Sequence, residues 1–352
     1  MGQPMESKFL AAAVQAEPVY FNALKTAEKA AALIDDAGRQ GVQLVTFPET
    51  WLPGYPYWIW LGSPAWGMHH FILKYHQNSP VAGGPEEQIL CQAARRNGIF
   101  VVMGLSEKIG ASLYMAQWFI SPDGKVIARR RKLKPTHVER SVFGEGDGSD
   151  IIVLDTPLGK LGGLCCWEHM QPLSKYAMYS QGEQIHAGAW PSISVYADKI
   201  YVLGSELNGA ANQIYAAEGQ CFVLASWATV SQAGIDLFCD TPDKAALMKI
   251  GGGFSQIYGP DGCPLAKPLP EDVEGLVCAE IDLSAITRVK AAADPVGHYS
   301  RPDVFRLLFN RTRQERVVSA DTVARFSERP TKNGLPAEAV TPPEIAVAHA
   351  AE

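Results

Sequence analysis

Two kinds of strand connection recur along this chain, and together they restrict its fold more than any other sequence feature. FLAAAVQA at 9–16, a run at 22–38 whose apolar residues recur every three or four positions, and VQLVTF at 42–47 form a strand–helix–strand pattern. A second unit follows, because PEEQILCQAARRNG at 85–98 has a helix-start proline and a helix-end glycine, and IFVVMGL at 99–105 is typical of a strand.

The second kind of connection is a tight hairpin turn. SPDGKVI at 121–127 and GPDGCPL at 259–265 each place Pro-Asp-Gly between apolar runs, which indicates antiparallel pairing. A chain with both connection types is neither a purely parallel fold nor a sandwich of strands alone. The sequence therefore predicts a layered α/β fold in which helices cover mixed sheets.

Composition excludes several classes of function. The 352 residues are 47% hydrophobic, which is enough for a sizeable core. The formal net charge is -6, and the sequence has no basic stripe suited to binding nucleic acid. No apolar run approaches the roughly 20 residues of a membrane helix. The seven cysteines are scattered and mostly lie in apolar runs, which favours reduced thiols in a cytosolic protein over a disulfide framework.

The last forty or so residues differ from the rest of the chain. Beyond about residue 311 aromatic residues become rare, while prolines and small polar residues accumulate. This composition is typical of disorder. We therefore predict a folded domain over residues 1–310 and a tail over 311–352 that is largely disordered or takes part in assembly.

Glu49 is the first candidate for chemistry. It follows an apolar strand in VTFPETWLPGYPYW at 45–58, and four aromatic residues come directly after it. A carboxylate surrounded by aromatic rings is partly desolvated, which raises its pKa and makes it a better proton acceptor near neutral pH. The alternative is that Glu49 caps a loop or pairs with a surface arginine.

A basic run, RRRKLK at 129–134, follows the first hairpin turn. Such a run usually forms a solvated face. In a strand, however, Lys132 and Lys134 share one face, so one of them can point into a cleft. Glu139 and Arg140 lie beyond the Pro135 turn and provide charges able to hold it.

Adjacent cysteines occur in GGLCCWEHM at 162–170. Neighbouring strand residues point to opposite faces, so at most one of them is a nucleophile, and Cys166 is nearer the strand end and the next helix. A buried, unreactive thiol is the alternative. Cys165, Cys166 and His169 are also possible metal ligands, but their spacing does not match a structural zinc site.

Taken together and in this order, these segments resemble the nitrilase superfamily of carbon-nitrogen hydrolases. The resemblance rests on FPET, RRKLKPTHVER and CCWEH, and it extends over roughly residues 8–310, including AWPS at 189–192. It implies a four-layer αββα sandwich with two mixed sheets faced by helices. It also implies a Glu-Lys-Cys triad with Glu49 as general base, Lys132 as catalytic cation and Cys166 as nucleophile, supported by Glu139.

Within the superfamily, the segment around Cys166 looks most similar to bacterial arylacetonitrilases. The implied reaction converts a nitrile, preferably an arylacetonitrile or a related 2-substituted nitrile, to a carboxylic acid and ammonia, without metal or organic cofactor. An amidase or carbamoylase, a cyanide hydratase or dihydratase, and a non-catalytic assembly protein are the alternatives. The resemblance further implies dimers that associate into larger spirals.

Residues within or beside the catalytic segments are candidates for substrate binding, because aromatic side chains can build an acyl pocket. Ordinary core packing is the alternative for each of them. The predicted pocket residues are Tyr55, Trp58, His137, Trp167 and Trp190.

Overall fold

The two predicted strand–helix–strand units and the two predicted turns are part of a larger set of strands and helices. A computed structural model describes residues 8–315 and 317. Within these residues the strands are β1 (Lys8–Ala16), β2 (Val42–Thr46), β3 (Phe100–Ile109), β4 (Ser112–Ile120), β5 (Val126–Arg131), β6 (Phe143–Gly144), β7 (Val153–Thr156), β8 (Gly159–Cys165), β9 (Ile185–Trp190), β10 (Phe222–Ala228), β11 (Gln256–Tyr258) and β12 (Gly275–Asp282).

Helices of very different lengths connect these strands. In the same part of the chain they are α1 (Ala23–Arg39), α2 (Trp58–Leu61), α3 (Pro64–His70), α4 (Ile72–Asn78), α5 (Pro85–Asn97), α6 (Pro172–Tyr179), α7 (Ser205–Gly219), α8 (Gln232–Phe238), α9 (Pro242–Ala245) and α10 (Ser284–Lys290). Short 3-10 helices lie at His137–Ser141, Gly148–Asp150, Cys166–Met170 and Tyr201–Leu203.

Both predicted strand–helix–strand units form, and their strands are parallel. β1 pairs with β2, and β2 pairs with β3. The Asn22 side chain caps α1 by accepting a hydrogen bond from the Lys25 amide at 3.0 Å. α5 begins at Pro85, and Gly98 ends it in the left-handed conformation (φ 63°), which glycine adopts without steric cost.

The two predicted Pro-Asp-Gly turns also form. In the first, the Gly124 amide donates to the Ser121 carbonyl at 2.9 Å, and β4 and β5 pair antiparallel. In the second, the Gly262 amide donates to the Gly259 carbonyl at 2.8 Å. After the second turn the chain makes an isolated bridge between Tyr258 and Pro264. This return segment is shorter than the strand that the hairpin pattern predicts.

All twelve strands of the described residues belong to one hydrogen-bonded sheet, which folds back on itself. Its main path runs β5-β4-β3-β2-β1-β10-β9-β8-β7. β1 pairs with β12 along eight residues but with β10 only at Gln15 and Ala16. The two mixed sheets of the predicted sandwich are therefore two layers of one curled sheet, joined near the end of β1.

Buried side chains of alternating direction hold four layers together. Between the two β layers, Leu44, Phe119, Leu161 and Ile185 belong to one apolar cluster. One outer face packs against α1 and α5, and the other packs against α6 and α7. A direct bond also crosses the interior, since the Gln117 amide nitrogen in β4 donates to the Ala187 carbonyl in β9 at 3.0 Å. These contacts build an αββα arrangement.

The described residues up to Arg313 form one compact unit. Most of the predicted tail, 316 and 318–352, lies outside the described residues, so its disorder and the domain boundary at 310 stay predictions. None of the helices in the described part of the chain is long and apolar enough to cross a membrane.

Gly104 of β3 allows the turn that carries Glu49 to approach the sheet. A Cβ atom at Gly104 would lie 1.9 Å from the Pro48 carbonyl oxygen. Neither atom could avoid the clash by a side-chain rotation, because one is part of the backbone and the other is bonded directly to it. We expect Gly104→Ala to destabilise the protein by about 3 kcal/mol, because the turn must move away. Thermal unfolding followed by circular dichroism measures the change.

Gly209 of α7 is the matched control for this substitution. A Cβ there would meet nothing within 4 Å. Alanine has a higher helix propensity than glycine. Gly209→Ala should therefore raise the free energy of unfolding by up to about 1 kcal/mol, and the melting temperature should stay the same or rise. Equal melting temperatures for the two variants would contradict the close approach at Gly104.

Candidate active site

Three strand ends bring the predicted triad together. Glu49 follows β2, and its amide donates to the Trp190 carbonyl at the end of β9 at 3.2 Å. Lys132 directly follows β5, and its amide donates to the Met115 carbonyl at 2.7 Å. Cys166 directly follows β8 and starts a 3-10 helix. Backbone contacts between strands therefore position all three side chains.

Lys132 is the centre of a buried charge cluster. Its Nζ donates to Glu49 Oε1 at 2.9 Å and to Glu139 Oε2 at 2.8 Å. All three side chains are almost completely buried. Lys134, which the strand pattern left as an alternative, lies at the surface instead and pairs with Glu145. Of the two lysines, the geometry thus favours Lys132 over Lys134 as the one that points into the cleft. Glu139 is the second carboxylate that contacts its ammonium group.

The two carboxylates differ in how many of their lone pairs are occupied. Glu139 also accepts from the Tyr55 hydroxyl at 2.8 Å and from the Thr136 amide at 2.6 Å. Glu49 Oε2 is buried and has no hydrogen-bond partner among the described residues. Glu49 therefore has an acceptor oxygen available for a proton, whereas both oxygens of Glu139 are already engaged.

Burial and charge determine the proton affinities of the site. Burial raises the pKa of Glu49 to about 8; the Lys132 charge opposes this effect and the Glu139 charge reinforces it. Burial disfavours the Lys132 ammonium, but Glu139 and Glu49 outweigh it and hold the pKa of Lys132 well above its usual value. Both effects on Lys132 together favour its charged form, while the pKa of Glu49 lies at about 8.

Cys166 occupies a strained turn. Its φ of 47° is uncommon for a residue with a side chain and presents the thiol at the end of β8. Burial raises the pKa of the thiol well above its usual value, while Lys132 and the backbone N–H of Trp167 lower it. The cation and the amide are thus the groups that favour the thiolate.

Cys165 lies in a different environment from Cys166. It is the last residue of β8 and is fully buried, and a buried arginine contacts it: Arg130 Nη1 lies 3.8 Å from its Sγ. The sequence predicts a small core residue facing away from the Cys166 side of the strand, and the Arg130 charge is the neighbour that it meets there.

Arg130 and Glu168 form a buried ion pair that the sequence analysis did not identify. Arg130 donates to both Glu168 oxygens, at 2.8 and 2.7 Å. The same carboxylate accepts the backbone amides of Leu133 and Cys165, each at 2.8 Å. Glu168 thus ties the segment next to Lys132 to the segment next to Cys166. Arg130 lies in RRKLKPTHVER and Glu168 in CCWEH, so both residues are close in sequence to members of the predicted triad.

A mostly apolar cavity of about 310 Å³ opens beside Cys166. Of the predicted pocket residues, Tyr55, His137 and Trp167 line it. Trp60 and Asn208, which the sequence analysis did not single out, also line it; Trp60 stacks on His137 and Asn208 accepts from the Trp167 indole at 2.9 Å.

The other two predicted pocket residues do not line this cavity. Trp58 packs into an aromatic cluster, with ring centroids 5.5 Å from Phe21 and 5.2 Å from Phe71. Trp190 stacks on Trp227 at 4.9 Å. The structure therefore places both rings in the packed interior, and Trp190 contributes to the site through its backbone carbonyl.

The described residues contain no group of three or more histidine, cysteine, aspartate or glutamate side chains that could hold a metal ion. In particular, the alternative set of Cys165, Cys166 and His169 does not converge. The His169 ring nitrogens instead contact the Cys166 carbonyl at 2.6 Å and His186 at 2.9 Å.

Comparisons with known proteins agree with this site. The carbon-nitrogen hydrolase family profile matches residues 10–291. A nitrilase from Pseudomonas syringae pv. syringae is 52% identical over 87% of this chain and 91% of its own length. An aliphatic nitrilase from Rhodococcus rhodochrous is 54% identical over 86% and 83%, and an arylacetone-specific nitrilase from Alcaligenes faecalis is 46% identical over 91% and 90%.

Solved structures share the fold at much lower sequence identity. A carbon-nitrogen hydrolase from Helicobacter pylori G27 superposes with a TM-score of 0.67 at 20% identity, covering 85% of this chain and 97% of that one. An amidase from Nesterenkonia sp. AN1 gives 0.60 at 17%, covering 82% and 96%. The predicted fold class is confirmed, and the chain belongs to the carbon-nitrogen hydrolase family, in its nitrilase branch.

Proposed function

We propose that this protein is a nitrilase that hydrolyses organic nitriles to carboxylic acids and ammonia through a covalent intermediate on Cys166. The observation that carries the proposal is the buried Lys132, held by Glu49 and Glu139 next to a cysteine that lines an apolar cavity. The similarity of the chain to two nitrilases, over more than 80% of the length of each, supports the same reaction.

The first step forms the carbon–sulfur bond. Glu49 Oε2 accepts the Cys166 proton, and the thiolate attacks the nitrile carbon. One π electron pair moves to the nitrogen, which takes up the proton that Glu49 accepted from Cys166. This gives a thioimidate and returns Glu49 to its carboxylate form. Lys132 and the Trp167 amide stabilise the developing negative charge, because both are oriented before the reaction and little water reaches them.

The next steps release nitrogen and then the acid. Glu49 accepts a proton from a water molecule as the oxygen adds to the thioimidate carbon, giving a tetrahedral species. Glu49 passes this proton to the nitrogen, which also receives the hydroxyl proton of the tetrahedral species. The carbon–nitrogen bond then breaks, ammonia leaves and a thioester forms. A second water, activated in the same way, adds to the thioester, and the carbon–sulfur bond breaks to release the carboxylic acid and the Cys166 thiol.

The cavity supports an arylacetonitrile or related 2-substituted nitrile as substrate. Its volume of about 310 Å³ is at the small end of ligand pockets. Tyr55, Trp60 and Trp167 offer aromatic surface to a ring, and rings prefer offset or edge contacts with such surfaces. Among the similar proteins, three are named arylacetonitrilase or arylacetone-specific nitrilase, and two are named aliphatic nitrilase.

We expect purified protein to release ammonia from phenylacetonitrile, and Cys166→Ala to lower kcat by at least about 10⁴-fold, since a lost nucleophile cannot be replaced by its neighbours. Cys165→Ala is the matched control. Its sulfur faces Arg130, so it should keep turnover within a few-fold and lose some stability.

Phenylacetamide, tested in parallel, separates the nitrilase from an amidase or carbamoylase. Ammonia released only from the amide would refute the nitrilase proposal. Loss of turnover in Cys165→Ala with activity kept in Cys166→Ala would exchange the roles of the two cysteines.

The pH profile should report Glu49. Its carboxylate must be unprotonated to act as base, so kcat/KM should fall as the pH drops through its raised pKa, near 8. The Glu139 charge contributes to this increase. In Glu139→Gln the acidic limb of the residual activity should therefore move to lower pH.

Glu145→Gln is the control for this profile, because Glu145 pairs with Lys134 at the surface, away from Glu49. Its acidic limb should coincide with that of the wild type. An acidic limb that stays in place or moves to higher pH in Glu139→Gln would contradict the coupling of the two carboxylates.

The proposal includes self-association into dimers and larger spiral assemblies, and a cytoplasmic location. Large apolar side chains between residues 299 and 308 support the first, since Tyr299, Phe305 and Leu308 are each at least 72% exposed. Support for the second comes from the seven cysteines, all of which are free.

Light scattering after size-exclusion chromatography measures the assembly. We expect the wild type to exceed the monomer mass, and Phe305→Asp to shift the distribution to smaller species because it places a charge on the apolar segment. Leu73→Asp in α4, a similarly exposed position, is the control. A monomeric wild type would refute self-association.

A further inference from the structure

A row of buried ionisable side chains lies behind Cys166, and the proposed mechanism does not use it. His169 contacts the Cys166 carbonyl through Nδ1 at 2.6 Å, and its Nε2 lies 2.9 Å from His186 Nε2. His186 Nδ1 lies 2.8 Å from Glu183 Oε1, and the Tyr215 hydroxyl donates to Glu183 Oε2 at 2.6 Å. All four side chains are buried.

Two glycines make room for this row. A Cβ at Gly162 of β8 would lie 2.1 Å from Glu183 Oε1, and one at Gly188 of β9 would lie 3.3 Å from His169 Nε2. The side chains therefore pass directly over the backbone of the nucleophile strand and its neighbour. This close passage fixes their positions as well as their hydrogen bonds.

The hydrogen-bond directions follow from the carbonyl at one end. The Cys166 oxygen can only accept, so His169 Nδ1 carries a proton and its Nε2 is an acceptor. His186 Nε2 must then donate, which leaves its Nδ1 as the acceptor of a neutral ring. The partner of that nitrogen, Glu183 Oε1, must therefore be the protonated oxygen of a carboxylic acid.

The row thus holds one labile proton between Glu183 and His186. Burial raises the pKa of Glu183 to about 8, although the hydrogen bond from the Tyr215 hydroxyl lowers it. Burial also lowers the pKa of His186 well below its usual value. Both directions place the proton on Glu183 near neutral pH. If it is lost, two acceptors face each other at some point in the row, whichever tautomers the histidines adopt.

The carbonyl at the end of the row belongs to the peptide unit that serves the thiol. In a trans peptide the Cys166 C=O and the Trp167 N–H point in opposite directions. The Trp167 N–H favours the Cys166 thiolate, and the proposed mechanism also uses it for the developing negative charge. A donor fixed on the carbonyl side therefore aims and polarises the N–H on the thiol side.

We propose that Glu183, His186 and His169 form a buried relay that positions the Cys166–Trp167 peptide, and that this relay functions only while Glu183 keeps its proton. The inference concerns positioning residues and rests on the proposed nitrilase activity. It predicts a loss of activity at alkaline pH that belongs to Glu183, in addition to the acidic limb of Glu49.

Other ionisable groups face the relay and enter the same titration. Tyr215 of α7 contacts Glu183 directly, and Tyr179 of α6 and the thiol of Cys221 interact with its charge. The Arg130–Glu168 pair faces both histidines. These partners stay the same in the variants below, except where one is itself replaced.

Glu183→Gln and Glu183→Ala are the decisive pair. A glutamine amide donates from nitrogen and accepts at oxygen, as the protonated acid does, but it does not titrate. We expect Glu183→Gln to keep kcat at pH 7 and to lose the alkaline decline, while Glu183→Ala lowers kcat by about 10²-fold with little change in KM, as for a lost oxyanion donor. Equal losses in both variants, or an unchanged alkaline limb in Glu183→Gln, would overturn the proposal.

Tyr215→Phe is a second variant that keeps the ring packing and removes the hydroxyl donor. This donor favours the charged form of Glu183, so its loss raises the pKa of Glu183. The alkaline limb of the rate profile should therefore move to higher pH. A limb that stays in place, or moves to lower pH, would contradict the relay even if Glu183→Ala fails to fold.

Alkylation of Cys166 by iodoacetamide tests the relay without any nitrile. Peptide mass spectrometry follows the rate between pH 6 and 10, and the exposed Cys263 is an internal reference in the same sample. The Cys166 profile should move to higher pH in Glu183→Ala but not in Glu183→Gln, while that of Cys263 stays constant. A wild type that hydrolyses no nitrile but shows this difference would refute the nitrilase proposal and keep the relay; identical Cys166 profiles would refute the relay.

Discussion

The buried ion pair of Arg130 and Glu168 is the interaction on which the site depends. Removing one partner of such a pair typically costs 3–5 kcal/mol, because the other charge stays buried without compensation. Here Glu168, held by the bidentate contact with Arg130, also accepts hydrogen bonds from the backbone amides of Leu133 and Cys165. One carboxylate thereby fixes the backbone on both sides of the gap between Lys132 and Cys166. Buried ion pairs often add little net stability, yet this pair fixes the geometry of the segments that carry Lys132 and Cys166.

The charges in the site are arranged in two groups of different function. Arg130 and Glu168 neutralise each other next to the backbone, whereas Lys132 pairs with two carboxylates, those of Glu49 and Glu139. The excess negative charge and the burial together keep the proton affinity of Glu49 high. A raised proton affinity suits the base that we propose for the thiol and for water, since it strengthens the carboxylate as a proton acceptor.

Parts of this site are visible in the sequence because they are local. Glu49, Lys132 and Cys166 each stand at a strand end beside turn residues, and a strand end is a local property. The pair of Arg130 and Glu168 lies 38 positions apart in sequence, so each looks like a solvated charge until the fold brings them together. Trp58 and Trp60 both lie in the one-turn helix α2, and only packing against Phe21 and Phe71 turns Trp58 inward and leaves Trp60 at the cavity.

The apolar side chains between the two layers of the curled sheet determine how far apart the layers lie. Lys132 belongs to one layer and Cys166 to the other, and the layers join near the end of β1. Elsewhere their separation depends on the volumes of side chains such as Leu44, Phe119, Leu161 and Ile185. Close-packed interiors transmit changes as small as one methylene, and catalysis is sensitive to displacements of about 1 Å. The thickness of this apolar layer therefore sets the distance between Lys132 and Cys166, although none of these four side chains lines the cavity.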